Sequence, residues 1–263
     1  MKPALLFLAA AALATTPSLH AQAPRDSLLG VADYLQLETV SDPQVSPDGR
    51  QIIYTRRWVN TREDRWDTAL WIMDADGSRQ RFLTKGGGAR WSPDGTRILF
   101  VADGEPRGAQ VFVRWMDAEG ATSQVTRLED APMGPAWSPD GKSIVFANFV
   151  PMSSRWNIPM PTPPEGARWT DAPRVVDDLH YRQDRAGFMR RGFTHLFIVP
   201  AEGGTARALT SGEWNVGARF DGLAGGAGFD FSPDGRTVYF DGWRGPWDAN
   251  YTKSHIYAVD VAT

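Results

Sequence analysis

Short β-branched and aromatic runs, set off by glycine and proline, occupy most of this chain, and four of them follow the same four residues. The word Ser-Pro-Asp-Gly stands at Ser46, Pro47, Asp48, Gly49, at Ser92, Pro93, Asp94, Gly95, at Ser138, Pro139, Asp140, Gly141 and at Ser232, Pro233, Asp234, Gly235. An apolar residue precedes each copy (Val45, Trp91, Trp137, Phe231). A strand-forming triplet follows each at fixed distance: Ile52-Ile53-Tyr54, Ile98-Leu99-Phe100, Ile144-Val145-Phe146 and Val238-Tyr239-Phe240. The first two intervals are 46 residues and the third is 94. A repeat in the forties built from strands predicts an all-β chain, a β-propeller with one four-stranded antiparallel blade per repeat.

The turn word has a mechanism. Proline in second place presets φ, aspartate can hydrogen-bond the local backbone, and glycine accepts the left-handed conformation that closes a hairpin. A second hairpin signal follows at Asp74-Ala75-Asp76-Gly77, Asp117-Ala118-Glu119-Gly120 and Pro200-Ala201-Glu202-Gly203. Strands are predicted before these turns, at 70–73, 111–116, 196–199 and, in the fourth repeat, 256–259. Short closing strands end at Thr84, Thr126 and Thr210. The predicted blades run over 44–84, 87–126, 133–210 and 229–263, about four in all. Because blades stack face to face, both faces of each are expected to be buried, which suits continuous apolar runs. The long third interval is read as one blade with two insertions, at about 149–192 and between 210 and 232. The first insertion is rich in proline and arginine, and long loops in compact domains are commonly lids or binding loops. The fourth repeat reaches its second turn at 259–263 without a closing strand, so a partial, open ring is expected.

Composition narrows the setting. The chain of 263 residues is 42% hydrophobic, carries a net charge of −3 and has no cysteine. Neither nucleic acid nor an anionic membrane surface is implied by that balance. Lys2 and the apolar run 4–14 predict a cleavable export signal over residues 1–23, too short to span a bilayer, with cleavage after Ala21 or Ala23. A periplasmic or secreted location follows as an expectation, with no membrane span after cleavage. Residues 24–43 form a lead-in with a short helix expected at 27–37.

The stretch Asp33-Tyr34-Leu35, with Val40-Ser41-Asp42-Pro43-Gln44-Val45 running into the first turn word, resembles the start of the propeller in exported bacterial peptidases of the prolyl oligopeptidase family. So does Arg174-Val175-Val176-Asp177-Asp178-Leu179-His180-Tyr181-Arg182, followed by His195-Leu196-Phe197-Ile198-Val199-Pro200. The acylaminoacyl-peptidase-like and dipeptidyl-peptidase-like branches are the nearest in pattern. The resemblance implies an N-terminal propeller that gates peptide access to a C-terminal α/β-hydrolase domain with a Ser-Asp-His triad. No catalytic residue carries over. A nucleophile elbow needs Gly-x-Ser-x-Gly on a strand-to-helix turn, and Gly141-Lys142-Ser143 continues instead into a blade strand. No cofactor is implied, since serine-dependent hydrolysis needs none. TolB-type periplasmic binding propellers share the turn word and supply the alternative, a protein-binding module without activity.

Within the insertion, Asp177 and Asp178 are candidates for holding a substrate's amino terminus, as acidic propeller residues do in dipeptidyl-peptidase-type relatives, and Arg182 is a candidate for substrate contact. The plainer reading is a solvated loop or an ion pair with Arg174 or Arg182. Arg190 and Arg191 are candidates for contact with peptide carbonyls or a catalytic domain. Trp156, Trp169, Trp243 and Trp247 lie in predicted loops, as blade-end caps or partner anchors. His195 and His255 begin equivalent strands, where edge hydrogen bonding is the expected role. Metal ligation would need clustered ligands, and Asp74 and Asp76 read as turn residues rather than a calcium loop.

Overall fold

The computed structural model describes residues 29–153, 160–170, 173–176, 181–184, 187–217, 228–244 and 254–262; the expected export signal lies outside them. The chain divides into a unit ending at Leu37 and a unit from Glu38 onward. In the first, a helix covers only Val31–Tyr34, shorter than the 27–37 expected. Among the described residues no helix is long and apolar enough to cross a membrane.

The second unit is a series of four-stranded antiparallel sheets. The first comprises β1 (Glu38–Val45), β2 (Gln51–Asn60), β3 (Arg65–Asp74) and β4 (Arg81–Lys85) in that order. Its first strand thus begins at Glu38, inside the stretch read as lead-in. The second comprises β5 (Gly87–Trp91), β6 (Arg97–Gly104), β7 (Gly108–Trp115) and β8 (Thr122–Gln124). In the third, β9 (Met133–Trp137) and β10 (Ser143–Pro151) are followed by a separate hairpin, β11 (Arg182–Gln183) and β12 (Gly187–Phe188). The sheet then resumes with β13 (Gly192–Pro200) and β14 (Arg207–Ala208). In the fourth, β15 (Asn215–Val216) and β16 (Phe229–Phe231) share one edge of β17 (Thr237–Trp243), and β18 (His255–Asp260) takes the other. These are the radial blades of a propeller.

Each turn word folds the same way. Gly49 N–H donates to the Ser46 carbonyl at 2.8 Å, and Ser46 N–H donates to the Gln51 carbonyl at 2.8 Å. The buried Ser46 hydroxyl donates to Asp48 Oδ1 at 2.6 Å and accepts the Gln51 N–H at 2.9 Å. The same bonds recur about Ser92, Ser138 and Ser232, with hydroxyl–carboxylate distances of 2.5, 2.6 and 2.6 Å. The closing glycines lie at φ between 66° and 72°, the left-handed region that a β-carbon penalises. The serine hydroxyl, followed by the backbone N–H two residues beyond the aspartate, holds each carboxyl below its ordinary value.

With the turn fixed, the strand alternates. The seventh residue after each turn serine points to the following blade, and the sixth and eighth point to the preceding one. Ile53, with Leu70, Ile72 and Leu83, meets Ala89, Ile98 and Phe100 of the second blade. Leu99, with Val111, Val113 and Val125, meets Trp137, Ile144, Phe146 and Val199 of the third. Val145, Ala147 and Leu196 meet Val216, Val238 and Phe240 of the fourth. Each boundary therefore has its own apolar core, and at ~25 cal/mol per Å² these layers hold the blades together. Polar bonds fix the first two of these boundaries: Trp91 Nε1 donates to the Gln44 carbonyl at 3.1 Å and Trp137 Nε1 to the Arg90 carbonyl at 3.0 Å. Successive turn words also stack, so a β-carbon on Gly95, Gly141 or Gly235 would lie 3.4–3.5 Å from the proline Cδ of the preceding word.

A polar clasp ties the outer strand to the third strand in two blades. In the second, Val111 N–H donates to Thr126 Oγ1 at 2.9 Å, the threonine hydroxyl donates to Gln110 Oε1 at 2.9 Å, and Gln110 Nε2 donates to the Leu128 carbonyl at 2.8 Å. In the third, Leu196 N–H donates to Thr210 Oγ1 at 3.0 Å, and the imidazole of His195 spans Thr210 Oγ1 (3.2 Å) and the Gly212 carbonyl (3.0 Å). His195 thus does the work of Gln110. Its burial lowers the imidazole pKa, and the bond to the Gly212 carbonyl only partly opposes this.

Replacing Ser92 by alanine is expected to cost about 1–3 kcal/mol in chemical denaturation, because it strips the donor from Asp94 and the acceptor from the Arg97 N–H. The four turn aspartates have folded pKa values below their unfolded ones, so their contribution is complete above about pH 4 and lost as pH falls further. A denaturation midpoint that holds constant down to pH 2 would contradict this. For His195, glutamine is expected to be tolerated and leucine to destabilise by about 1–3 kcal/mol. Its depressed pKa makes the native protein lose stability as pH drops below about 6.5, since the unfolded chain then binds the proton more readily. His195→Gln should abolish that part of the pH dependence in thermal melts.

Candidate functional site: the insertions of the third blade

Strand direction sorts the connections to two ends of the blades. The turn words and the second hairpin turns lie at one end. Both insertions leave from the other, where β10 gives way to the first and the chain beyond β14 gives way to the second.

The first insertion springs from a long ladder, in which β10 and β13 pair without interruption from Ser143↔Pro200 to Pro151↔Gly192. The excursion is therefore 152–191, slightly shorter than 149–192. At its root, Met152 N–H donates to the Arg191 carbonyl at 2.9 Å. The guanidinium of Arg190 lies 4.8 Å from the ring centroid of Phe149 and pairs with Asp130, so this arginine is engaged with the blade itself.

Farther out, the short hairpin β11–β12 pairs Arg182 with Phe188. Met189 N–H donates to the Tyr181 carbonyl at 2.8 Å, and the rings of Tyr181 and Phe188 stand 6.1 Å apart. Arg174 stacks on Phe188 at 4.3 Å, a cation–π contact that gives this guanidinium an aromatic partner. Arg182 is exposed. Asp177 and Asp178 lie outside the described residues, as do His180, Trp156 and Trp247. Around the hairpin Val175, Val176, Tyr181, Phe188 and Met189 are all exposed, so the insertion presents an apolar surface edged with arginines. Trp169 is exposed as well.

The second insertion begins docked. Thr194 N–H donates to Asn215 Oδ1 at 2.8 Å, and Asn215 and Val216 add to the edge of β17. Trp214 stacks on Phe240 at 5.9 Å, meets His195 edge-on at 5.7 Å, and lies under the Arg244 guanidinium at 4.2 Å. Sequence reading passed over Trp214 and Arg244. No local signal marks them, since their partners are brought near by strand order; Trp214 lies two residues beyond Gly212, whose carbonyl holds His195. Trp243 stacks on His255 at 5.4 Å at the end of the fourth blade. Unlike His195, His255 is exposed. Among the described residues, no group of three or more His, Cys, Asp or Glu is placed to hold a metal ion.

Comparison with known proteins places this geometry. Residues 169–263 match the family described as the dipeptidyl peptidase IV N-terminal region. The chain is 30% identical over 229 residues to the uncharacterized peptidase YuxL of Bacillus subtilis, covering 81% of this chain and 31% of that protein. It is 25% identical over 214 residues to dipeptidyl-peptidase 5 of Porphyromonas gingivalis, covering 79% and 30%. The chain thus spans about a third of the length of these relatives. Among solved structures, Pyrococcus horikoshii acylaminoacyl peptidase superposes with a TM-score of 0.62 at 17% identity, over 86% of this chain and 31% of that one. Puromycin hydrolase superposes at 0.53 and 18%, over 86% and 31%. The family match over residues 169–263 and the peptidase relatives support an N-terminal propeller region of the prolyl oligopeptidase-family peptidase type, and the solved structures share its blade architecture.

Proposed function

We propose that this chain serves as the non-catalytic propeller of a peptide-hydrolysing serine peptidase, restricting peptide entry and contacting a catalytic α/β-hydrolase domain. The observation that carries this reading is the 229-residue alignment to a protein named as a peptidase, which takes up 81% of this chain and 31% of that relative. The two insertions support it, because they emerge at one end of stacked blades with exposed apolar and cationic side chains. Binding loops mounted on a rigid scaffold are a common arrangement. In this reading Arg182, with Asp177 and Asp178, contributes to peptide contact at that end. The hydrolysis would proceed through an acyl-enzyme, with the serine, its histidine base and the oxyanion hole supplied by the catalytic domain.

We further infer export, since Lys2 and the apolar run 4–14 have the form of a secretory signal.

Two measurements test these readings. The purified chain is expected to hydrolyse neither dipeptidyl nor acylaminoacyl chromogenic substrates, while the coding sequence beyond codon 263 encodes further blades and then Gly-x-Ser-x-Gly. Turnover by the chain alone, or a stop codon after five or six blades, would refute the proposal; the second result would favour a TolB-type binding propeller. N-terminal sequencing of the product from the native host is expected to begin after Ala21 or Ala23, and a retained Met1 would rule out processing.

A further inference from the structure

At the boundaries between blades the fifth residue after the turn serine varies, being Gln51, Arg97 and Ser143 in turn, and the last of these boundaries is left open in a way that points to a ligand. Between the second and third blades, the fifth residue after the turn serine is Arg97. Its guanidinium donates to the Gly141 carbonyl at 2.9 Å and to Glu202 Oε1 at 2.9 Å, and lies 5.1 Å from the ring centroid of Trp137. The arginine is largely withdrawn from solvent and Gly141 is buried beneath it. An internal guanidinium therefore fills the groove beside that turn word.

At the next boundary the equivalent residue is Ser143. The aromatic floor persists as Phe231, and the equivalent of Gly141 is Gly235. With the long side chain gone, a cavity of about 320 Å³ opens there, lined among others by Asp140, Ser143, Phe231, Asp234 and Gly235. This volume is at the lower end of the range for small-ligand sites, about 300–1,000 Å³. Among the described residues no side chain donates to the Gly235 carbonyl, and this glycine is half-buried rather than buried. Ala262 stands where Glu202 stands in the preceding blade, so negative charge in the cavity comes from Asp140 and Asp234. Arg207 crosses the same boundary to the carbonyl of Val261, which also lines the cavity, and this bond leaves the Gly235 carbonyl without a side-chain donor among the described residues.

We propose that the cavity between the third and fourth blades is a receptor for a guanidinium group, taking the arginine side chain of a peptide or protein segment in the place that Arg97 fills one blade earlier. The Gly235 carbonyl accepts from the guanidinium, the Phe231 ring stacks beneath it, and the carboxylates of Asp140 and Asp234 supply charge. The site lies at the turn-word end, opposite the insertions. It is thus separate from the peptide-gating role proposed above and does not rest on it.

The test is an isotope-edited NMR titration of the full chain with N-acetyl-arginine amide, using N-acetyl-citrulline amide as the neutral isostere. Saturable shifts of the Gly235 and Ser143 amides are expected, with a dissociation constant in the millimolar range and at least about tenfold weaker binding of citrulline. Ser143→Arg should abolish the response while keeping the thermal midpoint at or above that of the parent, because the new side chain fills the cavity from within. Phe231→Leu, which keeps the apolar contact and removes the ring, should weaken binding several-fold. Absence of saturable shifts at Gly235, equal binding of citrulline, or undiminished binding by folded Ser143→Arg protein would each overturn the assignment. A saturable response confined to Asp48, Asp74 and Asp76 would overturn it as well.

Discussion

A serine hydroxyl that donates to the aspartate two residues on, while accepting the N–H five residues on, sets the geometry of every blade. Because both bonds converge on one buried oxygen, the hairpin cannot shift by a residue without breaking them together. Register in a strand has a period of two, so a slip of one residue would turn every side chain to the opposite face. Here that slip would carry Leu99 from the core with the third blade to the core with the first, and Ile98 and Phe100 the other way. The polar turn therefore decides which apolar residue meets which neighbour. The three interblade cores follow from it, and so does the stacking of each glycine on the preceding proline.

The same logic explains what the amino-acid pattern makes legible. Turn word, triplet and second hairpin are local, contiguous features, so their recurrence exposes the blades and places both insertions within the third repeat. Which residues cross between blades is less visible. The arginine bond from Arg97 to Gly141 spans 44 positions and occurs at one boundary only, so no repeat announces it. The clasp is harder still, since Gln110 and His195 perform one task with different side chains. A histidine and a glutamine share only the ability to accept at one atom and donate at another. Trp214 went unread because its partners, His195, Phe240 and Arg244, are brought near by strand order rather than by spacing. Asp177 and Asp178 fall outside the described residues, and their reading as substrate contacts belongs to the proposed function.

The exposed positions follow the periodicity too. The seventh residue after the turn serine is fully buried as Ile53, Leu99 and Val145, and is 49% exposed as Tyr239. Tyr239 stands on the outward face of the fourth blade, where no described blade follows. At the other end of the series, Val45 is exposed while its counterparts Trp91 and Trp137 reach the preceding blade with an indole bond. Equivalent residues thus differ in burial because of their place in the stack. Their own chemistry changes with it: a tyrosine at the outward position carries a hydroxyl that water can satisfy, where the inner positions hold purely aliphatic groups.

Departures from a repeat are informative in proportion to how strictly the rest of it is kept. The turn bonds are reproduced within about 0.1 Å in all four words, so the change from Gln51 to Arg97 to Ser143 beside them is not part of a general loosening. A shortened side chain in a tight core would be closed over by its neighbours or would cost stability as a void. At this boundary the space stays open and is lined by carboxylates, a carbonyl and a ring, groups that water or a cation can satisfy. The second blade supplies its own cation, and the third leaves the corresponding place to be filled from outside. Placing such a site on the stacked turn words gives it a footing whose bonds repeat from blade to blade, whereas the insertions at the opposite end carry length and exposed side chains. The repeat thus separates two kinds of surface: one fixed by the turn chemistry, and one free to vary without disturbing the blades.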